Sequence, residues 1–473
     1  MRAAALSVSL VLALLTLGTA IAQDSAAQDR QVMVAGRPAP VLHGLWRSRG
    51  YGYVLRVGAG GIELFHVAGL FCYPDPRPAR DPDHLFVLYR ELNSGTVAFS
   101  GLPGQTRYVF DRLTELPAAC SERVPYRALW PPARVAALVA ATFADLYPSF
   151  AERGIDWAAR TAEMQRTLDS VTDDDQLFEA LRALLAGVED AHVELHARIA
   201  GKERTLLPGQ ARTLALAGAA PGSDRNAARE EQWDNAHRRG VLEVVLKGRG
   251  RAGANGQVFW GRAGEIGYLN LLTFEGFAAD PRSPADDPAA LDAALDAAIA
   301  AFRGARAVIV DISANDGGFD WLAQRVAGRF ADRPRLAYTK IAIGAQGAEP
   351  QPFKVAPSNR ARYLGPVYLI TSDITLSAAE VFALYMRALP NVIHIGETTR
   401  GAFSDTINKP LPNGWTLVLP GEIYRDPQGQ SYEARGLPPQ RRFEVFPPDD
   451  LRNGHARRVL ALMEDIRREL AAR

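Results

Sequence analysis

Cysteine is almost absent from this chain of 473 residues: Cys72 and Cys120 are the only two. Two thiols cannot build a disulfide-dense scaffold or a four-cysteine metal site. The eight histidines are scattered. His192 and His196 have helix-type spacing but no HExxH pattern surrounds them, so neither a metal nor an organic cofactor is expected. Charge of one sign is lacking too. Lys+Arg 54 stand against Asp+Glu 53, for a net charge of +1. With no basic stripe, nucleic acid is not an expected partner. Beyond the first residues no apolar run is long enough to cross a bilayer, so no stable membrane insertion is expected.

What is present begins with a leader-like segment, residues 1–22. Arg2 is followed by a largely apolar stretch from Leu6 to Leu15 and by Ala20-Ile21-Ala22, a small-x-small cleavage pattern. The expectation is a protein exported to the periplasm or the medium and cleaved near Ala22. An oxidising compartment then permits, without requiring, a Cys72–Cys120 disulfide. Once the leader is removed, about 450 residues remain, too many for one ordinary core.

Residues 23–40 are polar and read as a flexible segment. Across 41–130, short alternating runs such as Tyr51 to Val57 and Gly61 to Val67 are split by Gly, Pro, Asp and Asn. That pattern predicts a small antiparallel β domain. Pro131-Pro132 marks a boundary, and 131–195 has helical periodicity, ending at Glu189–His196. Residues 196–262 read as a linker or irregular segment, although Asp224 to Arg239 suits either a helix or a loop. From 263 to 473 strands and helices alternate and a last helix closes the chain, which predicts an α/β core with a mostly parallel sheet.

In such sheets ligands gather at the carboxyl ends of the strands. Three loops fall there: Asp311 to Gly318, Ser372 to Ser377 and Gly396 to Ser404. Ser377 stands where strand and loop hand over to a helix. A hydroxyl there lies near free N–H groups, which suits a nucleophile that must later face an oxyanion. The competing role is helix capping by Thr375 or Ser377. Gly317 and Gly318 let a turn aim backbone N–H groups inward. His192, in an acidic turn after a helix, is the candidate base, with His196 as rival. Glu433, in a Gly/Pro-flanked loop, is a candidate orienting acid.

Across residues 130–445 the order of these motifs resembles the C-terminal processing serine peptidases. Asp311-Ile-Ser-Ala-Asn-Asp-Gly-Gly318, Thr375-Leu-Ser-Ala-Ala-Glu380, Gly396-Glu-Thr-Thr-Arg-Gly401, Asp190-Ala-His192 and Glu433-Ala-Arg-Gly-Leu-Pro-Pro439 carry the likeness. It is closer to the tricorn-core and retinoid-binding-protein-like branch, without an evident PDZ module. The resemblance implies a crotonase/ClpP-like core behind the small β domain and helical cap. In the processing peptidases a Lys directly after the Gly-rich motif is the base; Ala402 stands there in this chain. The tricorn-like pattern implies instead Ser377 as nucleophile, His192 as base and Glu433 as the group that holds the His tautomer, directly or through a polar bridge. It also implies an oxyanion hole from Gly317 or Gly318 with Ala378. Ser313 replaces the family Arg in that loop. The expected activity is hydrolysis of peptide bonds in a polypeptide or peptide substrate. The alternatives are a non-catalytic apolar-ligand or peptide-binding protein on the same fold, or an esterase or amidase. Completion of the site is expected to need closure of the helical segment over the core.

Overall fold

The computed structural model describes residues 29–76, 86–102, 105–121, 130–218, 224–280, 284–345 and 347–472. The expected leader, residues 1–22, lies outside the described residues. No helix among the described residues is long and apolar enough to cross a membrane.

The N-terminal lobe is an antiparallel sheet. Its strands are β1 (Arg30–Gln31), β2 (Gly44–Ser48), β3 (Tyr53–Gly58), β4 (Gly61–Ala68), β5 (Phe71–Pro74), β6 (Leu88–Asn93), β7 (Thr96–Ser100) and β8 (Tyr108–Leu113), in the order β1-β6-β7-β8-β2-β3-β4-β5. Part of the 23–40 segment is thus fixed, because β1 pairs with β6 through Arg30↔Tyr89. A Cys72–Cys120 disulfide ties β5 to the segment after β8.

Three helices follow: α1 (Pro132–Leu146), α2 (Trp157–Thr167) and α3 (Asp174–Leu184). Local chemistry places them. Asp156 accepts the Ala159 N–H at 2.9 Å, and Asp173 accepts the Gln176 N–H at 2.8 Å, each satisfying an otherwise orphaned donor.

The segment expected to be irregular is largely ordered. It contains β9 (Glu194–Ile199), β10 (Lys202–Leu206), α4 (Asp224–Arg239), β11 (Arg251–Gly253) and β12 (Val258–Ala263). The alternation of buried Leu195, Ala197 and Ile199 along β9 is an ordinary strand signature.

The remaining elements are β13 (Ile266–Leu271), α5 (Asp287–Ala301), β14 (Ala307–Asp311), α6 (Asp320–Ala327), β15 (Arg335–Ala342), β16 (Gln351–Val355), β17 (Val367–Thr371), α7 (Ala378–Arg387), β18 (Val392–Gly396), β19 (Thr406–Pro410), β20 (Thr416–Pro420), β21 (Glu422–Arg425), β22 (Arg441–Arg442) and α8 (Gly454–Ala471). The main sheet runs β11-β12-β13-β14-β17-β18-β22 and is parallel from β13 to β22. Every residue of β14 and β17 is buried, as expected where helices cover both faces. On one face pack α5, α6 and α7 through Leu295, Val326 and Phe382; on the other packs α8 through Val459, Leu462 and Ile466.

A separate four-stranded sheet, β10-β9-β20-β19, joins the upstream segment to the core. Strand β9 pairs with β20 through Glu194↔Val418. Ile407, Leu417 and Leu419 then share one apolar cluster with Leu181, Val193 and the β-lobe residues Leu55 and Phe99. The turn bearing His192 is therefore laced to core strands by backbone hydrogen bonds, and no closure of a detached cap is needed to bring it there.

Candidate active site

Ser377 immediately precedes α7, with φ 58° and ψ −126°. Positive φ at a non-glycine residue stores strain of about 1–3 kcal/mol and persists only where the surroundings enforce it. Here they do. Ser377 N donates to Ala402 O at 3.2 Å, Leu376 N to Asn315 O at 3.2 Å, and Arg400 N to Thr375 O at 2.9 Å. All three loops at the strand ends thus converge on this residue. The Ser377 hydroxyl makes no capping hydrogen bond. Nor does Thr375 cap α7: its hydroxyl accepts Ser372 N–H and donates to Ile312 O, both 3.0 Å. The capping role expected for Thr375 or Ser377 is not filled, because Thr375 is spent joining β17 to the loop after β14.

Gly317 and Gly318 have φ of 114° and 122°. A Cβ at Gly317 would lie 2.7 Å from Ser377 Cβ, and one at Gly318 would lie 2.5 Å from Phe274 C, so only glycine fits either place. Gly317 N–H already donates to Asn315 Oδ1 at 3.0 Å. Gly318 N–H and Ala378 N–H take no acceptor among the described residues. Ser313, which stands where the family has Arg, is buried and joins the loop through its own hydroxyl to Asp311 Oδ1 at 2.6 Å and its carbonyl to Ser372 Oγ at 2.6 Å.

Glu380, one turn into α7, is buried and clamps the third loop. Its oxygens accept Gly401 N–H at 2.7 Å and Ala402 N–H at 2.8 Å. Burial pushes its carboxyl up to about 7, with those hydrogen bonds working in the opposite direction. Ala402 is thus a structural link in the position where a lysine base is the alternative. Lys340 is the buried lysine of the neighbouring sheet. Its Nζ lies 3.0 Å from Glu422 Oε2 and 2.9 Å from Tyr424 OH, and it pairs with Asp405. Burial alone would lower its pKa, but these carboxylates raise it, so it stays protonated and cannot act as a base.

His192 is buried, and its backbone N–H donates to Asp190 Oδ1 at 2.9 Å. Its ring Nδ1 has no hydrogen-bond partner among the described residues. Burial lowers its pKa, opposed by Asp190 and Asp405. His196, the rival, is half exposed and bonds Glu194 at 2.7 Å on β9. Glu433 accepts Phe403 N–H at 3.0 Å and the Arg153 Nη2 donor at 3.3 Å. Burial, followed by the nearby Asp190, pushes the Glu433 carboxyl up to about 8. The structure therefore brings Ser377, Gly317, Gly318, Ala378 and Ala402 into one junction and sets Glu433 against the same loop. It makes no hydrogen bond from the His192 ring to Ser377 or Glu433. Sequence reasoning missed Arg153, which sits between Asp190 and Glu433, and Lys340, whose inward place in the alternation of β15 was a visible signal.

A strained serine and a glycine turn thus stand together at the carboxyl edge of a parallel sheet. Residues 265–442 match the model of peptidase family S41, the likeness that the ordered motifs led one to expect. The carboxy-terminal processing protease CtpA of Bacillus subtilis (strain 168) is 26% identical over 145 residues, 30% of each chain. The chain thus matches about three tenths of that relative's length. A crystal structure of a candidate peptidase from Parabacteroides merdae ATCC 43184 superposes with a TM-score of 0.55 at 22% identity, covering 71% of this chain and 96% of that one. At that identity the likeness speaks for the fold.

Proposed function

We propose that this protein is an exported serine peptidase that cleaves peptide bonds with Ser377. The observation that carries the reading is the strained Ser377 junction: a hydroxyl without a capping bond, with two unengaged N–H groups belonging to the flanking Gly318 and Ala378. In this reading Ser377 Oγ attacks the scissile carbonyl carbon, and His192 accepts its proton. The oxyanion is held by Gly318 and Ala378 rather than Gly317, whose N–H is committed to Asn315. His192 then protonates the leaving amine, and water releases the acyl group by the reverse sequence. Glu433 acts through intervening groups rather than by touching the imidazole. The expected substrate is a polypeptide or peptide. Export rests on the leader-like residues 1–22.

Catalysis requires the His192 ring to come within hydrogen-bond reach of Ser377 in the substrate complex. The absence of that bond in the free chain favours one second reading, a binding protein that uses the same cleft without turnover. The two part on a simple experiment. The folded chain is treated with a fluorophosphonate, and the adduct is located by peptide mass mapping. Adduct at Ser377, absent from Ser377→Ala, is expected; binding of apolar ligands or peptides with no adduct would favour the second reading.

A further inference from the structure

Arg153 lies in the connection between α1 and α2, far from every motif that suggested chemistry, yet its guanidinium is nearly buried, with 8% of the side chain exposed. It reaches both halves of the site. Towards the histidine, Nη1 donates to Glu189 O and Nε lies 3.1 Å from Asp190 Oδ2. Towards the serine, Nη2 donates to Gly401 O at 3.0 Å and to Glu433 Oε1 at 3.3 Å. Each contact continues. Asp190 Oδ1 holds the His192 backbone N–H, and Tyr147 OH secures Asp190 Oδ2 at 2.7 Å. Gly401 N–H is held by Glu380 of α7, whose first turn follows Ser377, and Ala434 N–H returns to Gly401 O at 2.8 Å.

We infer that Arg153 is a positioning residue that sets the His192 turn against the Ser377 loop, and that Glu433 serves the site as the anchor of this arginine. The inference rests on the peptidase reading. A planar guanidinium can donate to Glu433 and two carbonyls while its charge pairs with Asp190; a lysine offers a point charge on a flexible stem. The location also matters, because a buried pair of carboxylates sharing one cation is strongly disturbed when the cation is removed. The charged groups acting on His192 are Asp190, Asp405 and Glu194, which favour its protonated form, and Arg153, which opposes it. Loss of Arg153 thus has two consequences, a displaced imidazole and an imidazole that holds its proton to higher pH.

The test is the rate of fluorophosphonate adduct formation at Ser377 against pH, on the full chain, for wild type, Arg153→Lys and Arg153→Met, with thermal melting as the check on folding. The methionine variant is expected to label at least tenfold more slowly, with the midpoint of its pH profile moved upward. The lysine variant should recover part of the rate and keep the wild-type midpoint. Labelling of a folded Arg153→Met within twofold of wild type would overturn the inference. So would slower labelling with an unmoved midpoint and no recovery in the lysine variant, the behaviour of a residue that only packs. Should Arg153→Met fail to fold, Glu433→Gln is measured in its place: tenfold slower labelling supports the bridge, and a wild-type rate overturns it. Wild type that takes no label at any pH would sink the peptidase reading, and the positioning role with it. Wild type that labels while folded Arg153→Met matches it would sink the positioning role alone.

Discussion

The Ser377 junction and the His192 turn are both polar sites at the end of a secondary element, but they are held in opposite ways. Ser377 is fixed by its own backbone: three loops of one sheet bond to residues 375–377, and the result is a strained φ with a hydroxyl that makes no capping bond. His192 is fixed from outside. Its turn takes its position from the pairing of β9 with β20 and from the Asp190, Tyr147 and Arg153 side chains, while the ring Nδ1 has no partner among the described residues. The proposed nucleophile is thus held by close main-chain contacts. The proposed base is suspended on a longer polar chain.

The largest expected effect probes the suspended half. His192→Ala should lower peptide turnover by about a thousandfold or more while leaving the fold intact. In wild type the acid limb of the kcat/KM profile should have its midpoint below the ordinary imidazole value of 6.5, because burial favours the neutral, proton-accepting ring. A midpoint above 6.5 would say that Asp190 and Asp405 outweigh burial and would redraw the electrostatics of this turn.

Next comes a stability effect confined to the lobe that shares an apolar cluster with the His192 turn. The Cys72–Cys120 bridge closes a sequence separation of 48 residues. Chain entropy alone makes its removal worth about 4 kcal/mol. Replacing both cysteines by alanine should lower the melting temperature of the N-terminal lobe, whereas the Ser377 junction, built within the core sheet, should keep its fold. Melting that strikes both regions equally would mean that the two are one cooperative unit.

A smaller effect falls on the junction itself. Glu380→Gln replaces one of two acceptors with a donor facing Gly401 or Ala402, and should cost about 2 kcal/mol for the unsatisfied buried N–H. The wild-type carboxyl titrates in the fold at about 7, above its ordinary 4.5. A raised acid pKa means the unfolded state releases this proton first, so its contribution to stability is greatest below 4.5 and declines up to about 7. Denaturant titrations should show that decline in wild type and its loss in Glu380→Gln.

The same contrast explains what could be read from sequence. The strand at Val367–Thr371, the break before Ser377 and the adjacent glycines after β14 are local patterns, and a parallel sheet forces their loops to one edge. His192 stood out by its acidic turn after a helix, and the order of motifs around it set it apart from His196. The β9 strand was hidden because its partner, β20, lies in the distant C-terminal part of the chain, although Leu195, Ala197 and Ile199 alternate plainly. Arg153 carried no local mark at all. A surface arginine and a buried one look alike until tertiary pairing sets Asp190 and Glu433 on either side of it. Glu433 itself was identified from motif order, but the group it touches depends on that same long-range packing.

Peptide-bond hydrolysis by Ser377 is the proposed chemistry. It is tested most directly by incubating the purified chain, and Ser377→Ala beside it, with a mixed-sequence peptide library and counting new termini by mass spectrometry. New termini are expected with wild type and none above background with Ser377→Ala. Equal cleavage by the two proteins, or none by either, would contradict it.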